Sequence, residues 1–122
     1  MSMLKSYQDL EVWRKSIALA EMVYPVSARF SPEEKFGLAG QIRRAVVSVS
    51  ANIAEGAERN TTGEFLQFLG VASGSLAETE TFLILAEKLG LAAKQQIDPL
   101  RDRAAEVGRM LSGLKRSLRC KA

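Results

Sequence analysis

Histidine is missing from the 122-residue chain, and cysteine occurs once, as Cys120. Without histidine there is no ordinary general base near neutral pH and no Ser-His or Cys-His nucleophile pair, and the commonest metal ligand is lost as well. A single thiol makes neither an internal disulfide nor a cysteine-built metal site. It reads as a frayed, exposed group. Three prolines and nine glycines are too few and too scattered for the turn-rich punctuation of a β-protein. Aromatic residues are scarce at 7%, and none follows Phe82, so none interleaves with the basic C-terminal segment. That argues against stacking of single-stranded bases. No continuous apolar run approaches the roughly 20 residues of a bilayer span. The opening MSMLKSYQDLEVW has neither the apolar core nor the cleavage site of a secretory leader. The expectation is a cytoplasmic protein with no membrane partner and no cofactor.

What is present is ordinary for a globular domain: 47% hydrophobic and 25% charged residues. The length suits one domain, residues 1–122, with a real core. The net charge of +3 is unevenly spread. Residues 1–100 hold ten basic and twelve acidic side chains, for −2, while residues 101–122 hold seven and two, for +5. From Arg109 onward, RMLSGLKRSLRCKA contains no acid.

The apolar spacing predicts four helices. The first begins near Asp9 and carries Trp13, Ile17, Ala20 and Tyr24 at steps of four and three, one helical face that Leu10, Val12 and Val23 widen. Pro25 removes a backbone donor and is expected to kink it. Ser31-Pro32-Glu33-Glu34 has the form of a capping box with proline at the first helical position, which marks a second start. Thr61-Thr62-Gly63-Glu64 repeats the device for a third helix, which runs to Gly90, a natural left-handed stop. The fourth carries Ile97, Leu100, Ala104, Val107, Leu111, Leu114 and Leu118 in an unbroken heptad-like repeat. Either Asp98-Pro99 opens this helix, or Pro99 lies inside one that starts near Ala93; the sequence leaves both open. Short connections make neighbouring helices antiparallel, so the expected fold is an all-α, up-down-up-down four-helix bundle.

The second helix is unusual. Ala39, Ile42, Val46, Val49 and Ile53 form an ordinary core stripe. Beside it runs a small and polar seam, Gln41, Ala45, Ser48, Asn52, Glu55 and Arg59, about 100° further round. A third line, Val47, Ser50, Ala54 and Ala57, is also small. A helix apolar or small almost all round is buried almost all round, more than one bundle provides. The seam is therefore expected to face another subunit, its amides and hydroxyls pairing with symmetry mates. In the third helix Gly70 and Gly74 make a flat strip, against another chain or inside the bundle.

Asp9 to Trp13 (DLEVW), Gln41 to Ala45 (QIRRA), Asn52 to Gly56 (NIAEG), Phe68-Leu69 and Gly74-Ser75-Leu76 to Glu78 closely resemble the four-helix-bundle proteins encoded in 23S rRNA intervening sequences. The chain is similar, too, to the accessory variability proteins of diversity-generating retroelements. The resemblance spans about Tyr7 to Leu118 and implies a ring-like homopentamer with no enzymatic activity. Its retroelement relatives imply RNA and a reverse transcriptase as partners, met through basic surface. The family pattern often has proline where this chain has Ser50, which removes the cause of a kink there.

Three functions compete. An oligomeric RNA-binding scaffold would use Arg43, Arg44, Arg109, Lys115, Arg116, Arg119 and Lys121 on phosphates. The blander account is that cations in a last helical turn complement the helix dipole. A structural or protein-interaction module needs no nucleic acid. An enzyme would rest on carboxylate pairs such as Glu55 with Glu58 or Glu78 with Glu87, but a di-iron bundle wants Glu-x-x-His motifs and the chain has none.

Overall fold

The computed structural model describes residues 6–34 and 36–121. The expectation about a leader falls partly on residues 1–5, outside the described residues. Four helices carry the fold: α1, Glu11–Ala28; α2, Leu38–Ala57; α3, Thr62–Lys88; and α4, Lys94–Lys121. Short 3₁₀ turns, Tyr7–Asp9 and Pro32–Glu34, precede α1 and α2, and no strand occurs among the described residues. Each helix packs on its neighbours in sequence, and α1 also packs on α4. That closes one core around Leu19, Val23, Ile42, Val46, Val49, Ile53, Leu69, Leu83, Ile97, Val107 and Leu111.

Local chemistry explains most boundaries. The Thr61 hydroxyl oxygen accepts from the Glu64 backbone N–H at 3.1 Å and caps α3. The Glu64 carboxylate accepts from the Thr61 hydroxyl at 3.0 Å, so the reciprocal half of the motif is side chain to side chain. At the other end Gly90 has φ +74°. Leu91 N–H donates to Ala86 C=O at 2.9 Å and Gly90 N–H to Glu87 C=O at 3.0 Å, the paired bonds of a Schellman stop. Helix α4 starts at Lys94 with Pro99 inside it, which decides between the two starts left open. In its first turn Lys94 meets Asp98 at 2.9 Å; the hydrogen bond from that carboxylate, then its charge, raises the ammonium's pKa above the ordinary lysine value.

Two expectations are corrected. The Ser31-Pro32-x-Glu34 signal opens a single 3₁₀ turn, not α2, which begins at Leu38 with Gly37 as its cap residue. The Glu34 carboxylate accepts from the Leu38 N–H at 3.0 Å, so it satisfies the first turn of α2 four residues later. In α1 the core stripe is Val12, Ser16, Leu19, Val23 and Ser27; Val12 and Val23, expected at the edge of the face, are its centre, one residue round from Trp13, Ile17, Ala20 and Tyr24. Those four lie on the flank, half-buried except for Tyr24, which is 44% exposed. The shift is possible because both core serines are satisfied. Ser16 donates to Trp13 C=O at 2.7 Å and meets Ser50 Oγ of α2 at 2.8 Å. Ser27 donates to Tyr24 C=O at 3.1 Å and accepts from Arg43 Nε at 2.8 Å. Helix α1 runs on through Pro25, and α2 is continuous through Ser50.

Helix α3 is long and apolar enough, by length and composition, to cross a membrane, although it holds no continuous apolar run of that length. Its buried residues, Leu69, Ala72, Ser75, Leu76, Thr79, Leu83 and Ala86, form one stripe on the core. From Phe65 to Ala77 the remainder of its surface carries no charge.

Candidate functional site

The basic residues singled out from the sequence separate into two kinds. Arg109, Arg116 and Arg119 are exposed on α4; at 100° per residue Arg109 and Arg116 point away from Ile97, Ala104 and Leu111, and Arg119 lies at the edge of that buried face. With Ser112 the three arginines follow steps of three, four and three, and the line spans about 15 Å of helix. None of them, nor Arg44, Lys115 or Lys121, has an ion-pair partner among the described residues. Arg109, Ser112 and Arg116 also line a shallow cleft with Glu80, Ala104, Ala105 and Gly108, where α4 lies on α3. The three acids of α4 are confined to its first half: Asp98 is held by Lys94, Glu106 by Lys15 of α1 and by Arg103, and Asp102 is exposed. Lys115 is half-buried, and Arg44 stands exposed on α2.

Arg43 is of the other kind. It folds back over the end of α1, with Nε on Ser27 Oγ and Nη2 on Tyr24 C=O at 3.4 Å. Its guanidinium also sits 4.9 Å over the Tyr24 ring. It joins α1 to α2 and does not reach outward with the α4 arginines.

The polar seam of α2 meets α3 of the same chain at Ser48 and Arg59. Ala45 is buried, Ser48 and Asn52 are half-buried, and Gln41, Glu55 and Arg59 are exposed. Ser48 Oγ accepts from Ser75 Oγ of α3 at 2.9 Å and from Asn52 Nδ2 at 2.9 Å. Arg59 pairs with Glu55 at 3.3 Å and lies 4.8 Å over the Phe68 ring. Below them Gly56 is buried, and a methyl group there would come 2.7 Å from Phe68 Cβ and 3.0 Å from Phe65 Cδ1. Part of the seam therefore meets α3, through Ser48 on Ser75 and Arg59 over Phe68, while Gln41, Glu55 and Arg59 stay exposed; no spacing rule marks Ser75 as a partner.

The outward small surface lies elsewhere. Val47 of α2 is 45% exposed and Val71 of α3 48%. Ala51, Gly70, Gly74 and Ala77 are exposed on the same two helices. A methyl group added at Gly70 or Gly74 would meet nothing within 4 Å, so no contact inside the chain requires either glycine. Val47 belongs to the third small line of α2; its neighbour in that line, Ser50, points to the core.

The proposed carboxylate pairs gain no geometry. Glu58 and Glu78 are exposed, and Glu55 is taken by Arg59. Among the described residues no group of three His, Cys, Asp or Glu side chains is placed to hold a metal ion. Cys120 is free and exposed.

The family model described as "23S rRNA-intervening sequence protein" matches residues 8–113. The chain belongs to that family. A solved structure of a protein of unknown function from the S23 ribosomal protein family of Bacteroides thetaiotaomicron has the same fold, with a TM-score of 0.80. The two chains are 24% identical over 86% of this one and 95% of the other. No curated protein matches the chain.

Proposed function

We propose that this intervening-sequence protein is an antiparallel, up-down-up-down bundle that assembles with copies of itself, as a pentamer, into a non-enzymatic cytoplasmic scaffold for structured RNA. The observation that carries the RNA reading is the C-terminal half of α4: Arg109, Arg116 and Arg119 are exposed and make no ion pair among the described residues, in a segment that contains no acid from residue 109 onward. Cations without partners are the ones that release counterions from a phosphate backbone. Assembly would repeat this segment around a ring, and repeated weak sites reinforce one another. The lack of exposed aromatic residues on α4 favours backbone contact over base stacking.

The antiparallel arrangement is supported by contacts that run in opposite directions along the chain. Ser27 meets Arg43 while Ser16 meets Ser50, and Ser48 meets Ser75 while Arg59 meets Phe68. Self-association is supported by the exposed Val47, Ala51, Gly70, Val71 and Gly74 surface. An interior helical glycine costs about 1 kcal/mol relative to alanine, and nothing within the chain offsets that at Gly70 or Gly74. The count of five rests on the family resemblance. A second reading, a protein-interaction module without a nucleic-acid role, is favoured by the same apolar surface if it takes a different partner.

Fluorescence anisotropy with a folded RNA hairpin across a salt series tests the proposal. Affinity should fall steeply with salt, and Arg116→Glu with Arg119→Glu should flatten the slope and weaken binding at least about tenfold. No binding at low salt, or binding indifferent to those charges, would leave the protein-interaction reading.

A further inference from the structure

At the corner where α1 ends and α2 begins lies a cleft of about 340 Å³ lined by Ser27, Ala28, Phe30, Ser31, Pro32, Ala39 and Arg43. It is separate from the α4 surface, and its chemistry is independent of RNA binding there. We propose that this cleft binds a compact anion, a carboxylate or phosphate group on a small molecule, with Arg43 as the principal ligand.

Arg43 carries five N–H donors in a planar fork. Two are committed: Nε to Ser27 Oγ at 2.8 Å, and one Nη2 proton to Tyr24 C=O at 3.4 Å. The three others have no acceptor among the described residues. The side chain is half-buried and pairs with no carboxylate there. A cation partly removed from water and left without a counter-charge is costly, and an anion in the cleft offsets that cost. The nearest carboxylate in the connecting turn, Glu34, is occupied in capping Leu38. Glu21 and Glu33 are exposed and make no ion pair with Arg43.

The guanidinium is also held still. Ser27 is 97% buried, its exposure being 3%, and fixes Nε; the Tyr24 carbonyl fixes Nη2 and the Tyr24 ring supports one face. A fork immobilised before binding loses little freedom when it meets a planar or tetrahedral oxyanion. Two further donors are at hand. The Ser31 hydroxyl makes no side-chain hydrogen bond among the described residues, and its carbonyl is engaged by Glu34 N–H at 2.9 Å. Ala39 stands in the first turn of α2, where backbone N–H groups lack intrahelical acceptors and the helix dipole is positive. Phe30, Ala28 and Pro32 supply an apolar wall, so the body carrying the anion is short and apolar. The volume falls at the small end of ligand sites, which run from roughly 300 to 1,000 Å³.

The experiment uses the full chain, titrated at constant ionic strength with sodium phosphate and, separately, sodium acetate. The Arg43 Nε–Hε correlation is followed by NMR and the melting temperature by calorimetry. Expected is a saturable movement of that one correlation, with a rise in melting temperature that follows occupancy. Arg43→Lys keeps the charge but not the fork and should weaken binding roughly tenfold or more. Ser31→Ala should weaken it by a smaller factor without changing the melting temperature of the unliganded protein. Saturation by phosphate alone assigns a phosphate-bearing ligand, and saturation by acetate alone a carboxylate. If Arg43→Lys does not fold, Ser31→Ala carries the test. A movement that does not saturate, or that is the same in wild-type and Ser31→Ala protein, marks an adventitious ion only and overturns the proposal.

Discussion

Substituting Gly56 by alanine tests how closely α2 and α3 approach. On intrinsic propensity alone the change should help, by at most about 1 kcal/mol, because alanine is the better helix former. The geometry opposes it. The new methyl would lie 2.7 Å from Phe68 Cβ, 3.0 Å from Phe65 Cδ1 and 3.3 Å from the Phe65 carbonyl oxygen. The Phe65 ring can rotate away. Phe68 Cβ cannot, since it is bonded directly to the α3 backbone, and neither can a carbonyl engaged in a helix. The two helices must therefore separate around a core that includes Ile53 and Leu69. Overpacking costs about 1–3 kcal/mol, and a contact that only a backbone shift relieves falls in the upper part of that range, about 2–3 kcal/mol, so the net effect is a loss of about 1–2 kcal/mol. For a chain of this length that corresponds to a fall in melting temperature of roughly 4–8 °C. Thermal unfolding by circular dichroism at one protein concentration measures it. A melting temperature equal to or above that of the parent would refute the reasoning, because propensity would then have outweighed a contact that the backbone cannot relieve.

Gly70→Ala and Gly74→Ala make the opposite case, since open space surrounds both positions. If α3 faces only solvent, each should stabilise the fold by up to about 1 kcal/mol. If a second copy packs there, sedimentation velocity should show a weakened assembly. The buried Ser16–Ser50 pair should be worth about 0.5–1.5 kcal/mol. Ser16 gives its only proton to Trp13 C=O, so Ser50 is the donor between them. Urea unfolding of Ser16→Ala, Ser50→Ala and the double variant should show a double loss smaller than the sum of the single ones.

Much of the fold was legible in the chain because it rests on local physics. The four-three repeat along residues 97–118 placed the inner face of α4, since Ile97, Leu100, Ala104, Val107 and Leu111 are buried and Leu114 and Leu118 half-buried. Thr61 and Glu64 marked the start of α3, and Gly90 its end, through bonds that close within a few residues. The α2 core stripe of Ala39, Ile42, Val46, Val49 and Ile53 was equally plain. The free cations of α4 followed from a segment that contains no acid.

Tertiary structure decided what depends on a partner far along the chain. In α1 two neighbouring stripes were possible. The one containing Ser16 and Ser27 goes inside because Ser50 and Arg43, 34 and 16 residues away, satisfy those hydroxyls. Ser48 of the α2 seam meets α3 because Ser75, 27 residues beyond it, supplies the hydrogen bond. Ser31 and Glu34 form a 3₁₀ turn, with Glu34 released to cap Leu38. Sequence by itself determined where the chain coils and which surfaces are apolar, because helix propensity and capping act over one or two turns. Which polar groups are inside, and that Arg43 folds back onto α1 rather than outward, was decided only when distant helices met.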